Sequence, residues 1–278
     1  MRAHFGGSSR ESLKASRAML DAAVKGATQE AASQLCTELF SCAEVLAGSI
    51  ALRRAITDPS RDSASKVALV TEIFGKSMDA KALEIITNIA SLRWSSSADL
   101  VPVVEQLAIE AQGSAANIAG ELDRVEDEFF AVSQAIAGSF DLRKALTTPG
   151  ADKAKAALVT ELLGKNYTAS TLTLVSHLVS NLRGRSIEAA FEDYFHALAA
   201  RRNRLIALVQ VAAPLTPAQQ ERLATLLAAQ VGQPVRINVE VVPSVVGGVS
   251  VRFGDEIIDG TIINRLAGAG RALAGAAS

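Results

Sequence analysis

Few residues of this chain have the types and spacing that chemistry would require. Gly75-Lys76-Ser77 resembles the end of a phosphate-binding loop, but that loop needs a glycine where the chain has Val70. His4, His177 and His196 have no cysteine or acidic residue at the spacing of metal ligands. The sequence therefore predicts no catalytic residue, no cofactor-binding residue and no metal site.

Carboxylates and thiols are the remaining candidates for chemistry. An acidic cluster lies on one predicted helix, where its members are expected to spread around a solvated face; they are Glu121, Asp123, Glu126, Asp127 and Glu128. Cys36 and Cys42 are six residues apart on another predicted helix, so they do not form a CxxC pair. We expect two buried free thiols in a reducing compartment. An enzyme with an unfamiliar site stays open as an alternative.

Composition excludes several classes of protein. The 278 residues are 49% hydrophobic and carry a net charge of −1, which excludes global disorder and argues against a strongly basic nucleic-acid binder. The best apolar run, Leu205 to Ala213, is too short to cross a membrane and contains Gln210. The first ten residues lack an apolar segment, so no signal peptide is predicted.

An internal repeat organises most of the chain. Residues 47–59 and 137–149 agree at eight of thirteen positions, at an offset of 90. Residues 66–76 and 155–165 agree at eight of eleven positions, at an offset of 89. The single inserted residue falls in a loop, so the predicted helices of the two copies stay in phase.

Both copies have the apolar periodicity of helices, as in Leu69, Val70, Ile73 and Phe74. Gly75 and Gly164 follow the last apolar residue of a helix, which predicts a left-handed cap. We expect tandem helical bundles over 1–110 and 111–200, with a long helix near Asp99 to Gln112 that the two could share.

The period changes after residue 200. Leu205–Ala213 is typical of a strand, Thr216-Pro-Ala-Gln219 of a helix start with a capping box, and residues 235–241 alternate with period two. A predicted hairpin and a last helix follow. The fold class is therefore mainly α with a small C-terminal α/β domain over 201–278: strand, helix, three strands, helix.

The sequence from Val242 to Leu266 resembles the C-terminal pattern of the delta subunit of F-type ATP synthase, the family of the mitochondrial oligomycin-sensitivity-conferring protein. Pro149 and Asn181-Leu-Arg183 also match positions in the helical domain of that family. Val242 departs from the acidic residue usual before the proline, and the duplication makes the chain longer than the usual member. The matching motif positions are Gly247, Gly248, Gly254, Asp255, Asp259, Gly260, Thr261, Arg265 and Leu266.

The resemblance implies a mechanical role without catalysis, in which those motif positions serve the backbone. The chain would be a peripheral stator subunit at the cytoplasmic face of the cell membrane. Its helical domain would receive N-terminal helices of alpha subunits, and its C-terminal domain would engage the ends of the b subunits. No nucleic acid is expected as a partner. A helical adaptor or scaffold of another protein complex is the alternative.

Overall fold

Eleven helices and a small α/β unit make up the part of the chain that the structure describes. The computed structural model describes residues 5–201, 205–231, 235–242, 249–253 and 256–259. The helices are α1 Gly7–Val24, α2 Gln29–Gly48, α3 Ile50–Thr57, α4 Ser63–Phe74, α5 Ala80–Ser91, α6 Leu100–Ile118, α7 Leu122–Gly138, α8 Phe140–Thr147, α9 Asp152–Leu163, α10 Ala169–Ser180 and α11 Ile187–Ala200. One compact unit runs to Leu198, and a second begins at Ala199.

The sequence repeat is also a repeat of helices and of their caps. Helices α2 to α5 follow the same order as α7 to α10, and the last three of each set have equal lengths of 8, 12 and 12 residues. Ser49 begins α3 by accepting a hydrogen bond from the Leu52 amide at 3.1 Å, and Ser139 begins α8 in the same way from Leu142 at 3.3 Å. A serine oxygen at this position satisfies one of the free amides of the first helical turn.

Helix α6 belongs to both copies. The repeat offset of 90 places α1 onto residues 97–114, which is most of α6. Fifteen of its nineteen residues are buried, so the helix is enclosed on nearly all sides. Buried side chains from both copies form one continuous apolar cluster around it. The predicted limit between 110 and 111 falls inside α6, and the domain limits stay predictions.

The glycines that end α4 and α9 do not adopt the predicted left-handed conformation. Gly75 has φ −60° and Gly164 has φ −58°, so both continue the right-handed helix. Their amides still donate to the carbonyls of Thr71 and Thr160 at 2.9 Å. A Cβ on either glycine would lie 2.5 Å from that carbonyl oxygen. Glycine is needed here for close backbone approach, which the spacing alone does not distinguish from a left-handed cap.

The second unit has the predicted order of strand, helix and strands, and its first two strands form a parallel crossover. Strand β1 Leu205–Val211 pairs in parallel with β2 Val235–Val241, and α12 Pro217–Val231 connects them. Strand β3 Val249–Phe253 pairs antiparallel with β1 and with β4 Glu256–Asp259, giving the order β2-β1-β3-β4.

Local signals for this unit are confirmed where the structure describes them. Thr216 and Gln219 form the predicted capping box, with 2.8 Å from the Thr216 amide to Gln219 Oε1 and 3.3 Å for the reciprocal bond. Phe253 lies opposite Glu256 in the antiparallel hairpin. The last helix predicted after Asp259 lies outside the described residues.

Candidate functional site

The sequence motif at the C-terminal end is only partly within the described chain. Asp259 is the last residue of β4. The other motif positions lie outside the described residues; they are Gly247, Gly248, Gly254, Asp255, Gly260, Thr261, Arg265 and Leu266. The roles assigned to these positions therefore stay predictions.

The second motif, Asn181-Leu-Arg183, ends α10 beside a buried carboxylate. Asn181 Nδ2 donates to Glu44 Oε1 of α2 at 3.1 Å, which joins the two copies. Arg183 has a positive φ of 50°, and its guanidinium lies 3.3 Å from Glu105 Oε2. A positive φ is uncommon for a residue other than glycine. The ion pair gives a physical reason for the arginine at this turn.

Glu105 of α6 is the centre of this cluster and is only 2% exposed. Arg185 Nη2 lies 3.1 Å from Glu105 Oε1, and its other terminal nitrogen pairs with Asp193 at 3.1 Å. Tyr194 donates to Glu105 Oε1 at 3.4 Å. Two guanidinium groups and a phenol thus compensate one buried carboxylate, as burial of a charge requires.

His177 extends the cluster to the first copy. Its Nδ1 lies 2.7 Å from the Tyr194 hydroxyl, and its ring stacks on Phe40 of α2 with centroids 3.5 Å apart. Burial, and then the positive charges of Arg183 and Arg185, lower the pKa of His177 to about 3. The imidazole is therefore neutral near pH 7, although Glu105 lies 3.9 Å from its Nδ1.

Burial and charge also fix the protonation of the neighbouring groups. Burial raises the pKa of Tyr194 well above its usual value, and Glu105 raises it further. Burial lowers the pKa of Arg185, but its contact with Glu105 more than compensates, so the net shift is upward. These shifts keep the Tyr194 phenol neutral and the Arg185 guanidinium charged, which favours a structural connection between α2, α6, α10 and α11 over proton transfer.

A cavity of about 290 Å³ adjoins this cluster on the side of α1 and α11. Its polar lining includes Arg17, Gln106, Arg185 and His196. Arg17 is engaged with the buried Glu110 at 2.7 Å. In the described part of the chain, no group of three or more His, Cys, Asp or Glu residues is placed to hold a metal ion.

The expectation of a solvated acidic face on α7 is wrong for two of its five residues. Glu126 is 4% exposed. Glu128 accepts hydrogen bonds from the Thr168 amide at 2.8 Å and the Thr171 hydroxyl at 2.7 Å, so it caps the start of α10. Burial raises the pKa of Glu128, but these hydrogen bonds outweigh it and the net shift is downward. Helical periodicity misses this contact because it depends on a partner 40 residues away.

The same interhelical cap occurs in the first copy. Glu38, which is 90 residues before Glu128, accepts from the amide of Asp79 at the start of α5 at 3.0 Å. A glutamate on α2 therefore satisfies a free amide at the start of α5, and a glutamate on α7 does the same at the start of α10. The repeat could have suggested this pair, because Glu38 and Glu128 align at the offset.

The thiols and the helices agree with simple structural roles. Cys36 and Cys42 are free and buried, as predicted. Burial raises the pKa of Cys36, and it raises that of Cys42 to about 12.

Among the described helices, no single one is both long and apolar enough to cross a membrane. Helices α2 and α3 together have the required length and hydropathy, but the chain bends by 104° at their junction.

Comparisons with known proteins agree with one another. The sequence pattern of the family described as "ATP synthase delta (OSCP) subunit" matches residues 108–273. The chain is 42% identical over 275 residues to "ATP synthase subunit delta" of Streptomyces avermitilis, which covers 99% of this chain and 100% of that one. The protein of the same description from Streptomyces coelicolor is 40% identical over 269 residues, covering 96% and 98%.

A relative from another genus and one solved structure extend the comparison. "ATP synthase subunit delta" of Kineococcus radiotolerans is 39% identical over 272 residues, covering 97% of this chain and 98% of that one. A chain in the cryo-EM structure of the Toxoplasma gondii mitochondrial ATP synthase hexamer is 18% identical, with a TM-score of 0.39 and coverage of 59% and 96%. The three bacterial proteins thus align with nearly the whole of this chain, including most of its first 107 residues.

Proposed function

Because the chain belongs to the ATP synthase delta (OSCP) subunit family, and is thus a non-catalytic subunit of an F-type ATP synthase, we propose that it ties the catalytic head to the peripheral stalk. The observation that carries the proposal is the alignment with delta subunits over almost the whole chain. In this role the chain resists the torque that the rotor exerts on the head during ATP synthesis.

The described helical unit has properties that suit such a role. Its two copies share α6 and one apolar core, so they are held together by packing as well as by covalent connection. The cluster around Glu105 adds ion pairs and hydrogen bonds between the copies. A close-packed interior has low compressibility and transmits strain. These features support a stiff connector.

The second helical copy is proposed to receive N-terminal helices of alpha subunits, and the C-terminal domain the ends of the b subunits. The family match begins at residue 108 and thus covers the second copy and the C-terminal domain, which supports equating them with the usual two-domain subunit. The first copy is then the extra element. As part of the complex, the chain is proposed to lie at the cytoplasmic face of the cell membrane as a peripheral subunit.

Co-purification tests this proposal directly. The full chain is tagged, membranes are extracted gently, and the proteins that remain bound are identified and quantified. Alpha, beta, gamma and b subunits in stoichiometric amounts are expected. If a folded tagged chain brings none of them, the proposal fails. A different stable set of partners would favour the alternative, a helical adaptor of another complex.

A further inference from the structure

Helix α1 packs on the rest of the helical unit through a mainly polar face. Five of its eighteen residues are buried, and three of these are serines: Ser9, Ser12 and Ser16, beside Leu13 and Leu20. Helix α6, which aligns with α1 in the repeat, has fifteen buried residues of nineteen, and most of them are apolar. Helix α1 is therefore held by far fewer fully buried apolar side chains than its counterpart.

The serines of α1 contact the segment between α5 and α6. Ser9 Oγ donates to Asp99 Oδ2 at 2.6 Å and accepts from the Ser95 amide at 2.9 Å. Ser12 Oγ donates to the Arg93 carbonyl. When such a contact opens, both partners regain hydrogen bonds with water. These bonds therefore direct where α1 lies more than they hold it there.

An ion pair and a close approach of the backbone complete the attachment. Arg17 Nη2 lies 2.7 Å from Glu110 Oε1 of α6, and the arginine side chain is 35% exposed, so water reaches the pair from that side. At Gly6, directly before α1, an added Cβ would lie 2.5 Å from the Cβ of Ser95. At the neighbouring Gly7 an added Cβ would meet no atom within 4 Å.

Helix α1 also forms part of the wall of the 290 Å³ cavity beside Glu105. Leu13 and Arg17 contribute to this wall from α1, and Ile109 contributes from α6. A short connection, residues 25–28 with Gly26 at a φ of 69°, joins α1 to α2. A rotation at this connection would move α1 away from the cavity without unfolding α2.

We propose that α1 is a detachable helix, which opens from the helical unit while α2 to α11 stay folded and thereby exposes the cavity to solvent. Elements with few buried apolar contacts open locally at a lower free energy than global unfolding requires. The other helices stay together because α6 and the apolar cluster around it do not depend on the serine contacts. The inference goes beyond the proposed function and does not rest on it, since the opening is a property of the isolated chain.

Hydrogen exchange of the full chain under native conditions, followed by mass spectrometry, tests the local opening. Peptides from α1 are expected to exchange at least about a hundredfold faster than peptides from α6. Exchange of both helices at one common rate would overturn the proposal, because α1 would then open only together with the whole unit.

Two adjacent glycines provide a matched pair of variants. Gly6→Ala places a Cβ against Ser95 and is expected to speed exchange in α1 roughly tenfold, with exchange in α6 to α11 unchanged. Gly7→Ala should leave exchange in α1 no faster than in the parent. Equal exchange in the two variants would contradict the proposal, and so would an effect of Gly6→Ala spread evenly over all helices.

Alkylation of an introduced cysteine tests whether the opening exposes the cavity. Ile109→Cys replaces a residue of the cavity wall that is 2% exposed. This thiol is expected to react with iodoacetamide roughly tenfold faster in the Gly6→Ala chain than in the Gly7→Ala chain. Leu174→Cys, at a buried position of α10 outside this wall, is the control and should react equally in both. Equal rates at position 109, in variants whose melting shows that they fold, would refute the opening of the cavity.

Discussion

The imidazole of His177 stacks on the ring of Phe40, with centroids 3.5 Å apart and an angle of 16° between the planes. The two residues are 137 positions apart and belong to different copies of the repeat. Their contact connects α10 of the second copy to α2 of the first. Tyr194 and Glu105 of the cluster lie near Nδ1 of the same imidazole.

Replacing Phe40 with alanine is expected to lower the free energy of unfolding by about 3–5 kcal/mol, because the ring is buried and its removal leaves a cavity between the copies. Urea denaturation of the isolated chain measures the loss. Phe140→Ala is the matched control, since that ring is 75% exposed, and its effect is expected within about 0.5 kcal/mol. Equal effects of the two changes would contradict the assigned packing.

Glu105→Gln removes the negative charge that compensates two arginines. We expect a loss of about 3 kcal/mol, because breaking a buried ion pair leaves the remaining charges without compensation. Glu161→Gln, on the exposed face of α9, is the control and should change stability little. A Glu105→Gln protein as stable as its parent would show that the cluster contributes nothing to folding.

Stability should depend on the protonation of His177. Its pKa is about 3 in the folded chain, against an ordinary value of 6.5, so the unfolded chain binds the proton more tightly. This contribution is fully present above pH 6.5 and declines as the pH falls toward 3. Its slope is at most about 1.4 kcal/mol per pH unit.

Melting curves from pH 7 to pH 4 measure this contribution. A His177→Gln variant should show a weaker decline than the parent. Parallel curves for the parent and the His177 variant would exclude a buried neutral imidazole.

Two glycine substitutions should have opposite effects. Gly164→Ala is expected to destabilise the chain by about 1–3 kcal/mol, because the new Cβ would lie 2.5 Å from the Thr160 carbonyl oxygen. Gly138→Ala, at the end of α7, meets no atom within 4 Å and should be neutral or stabilise by up to about 1 kcal/mol. Thermal unfolding of the two variants gives the comparison, and the same sign for both would be the contrary result.

Sequence patterns were sufficient for features that depend on local or repeated structure. The repeat predicted both sets of helices, and Thr216 with Gln219 predicted the start of α12. The alternation in residues 235–241 predicted a strand because period two reflects the pleat itself. Each of these signals is complete within a few neighbouring residues, or within one comparison of the chain with itself.

Features that depend on tertiary contacts were missed or misread. Glu128 lies in an acidic stretch typical of a solvated face, but its partners Thr168 and Thr171 come from another helix. The stacking of His177 on Phe40 has no local signal. The position of Gly164 directly after a helix suits a left-handed cap, which we predict from the sequence. It suits equally well a right-handed glycine that allows close backbone approach. The decisive quantity is the distance to the Thr160 carbonyl, which spacing does not contain.

The sharing of α6 has a consequence for how the helical unit unfolds. Two bundles joined by a linker could pivot about it and melt one after the other. Here, unfolding of α6 would expose the apolar core of both copies at once, so neither copy would stay folded without the other. The helical unit should therefore melt in a single cooperative transition and have no hinge at the midpoint of the repeat.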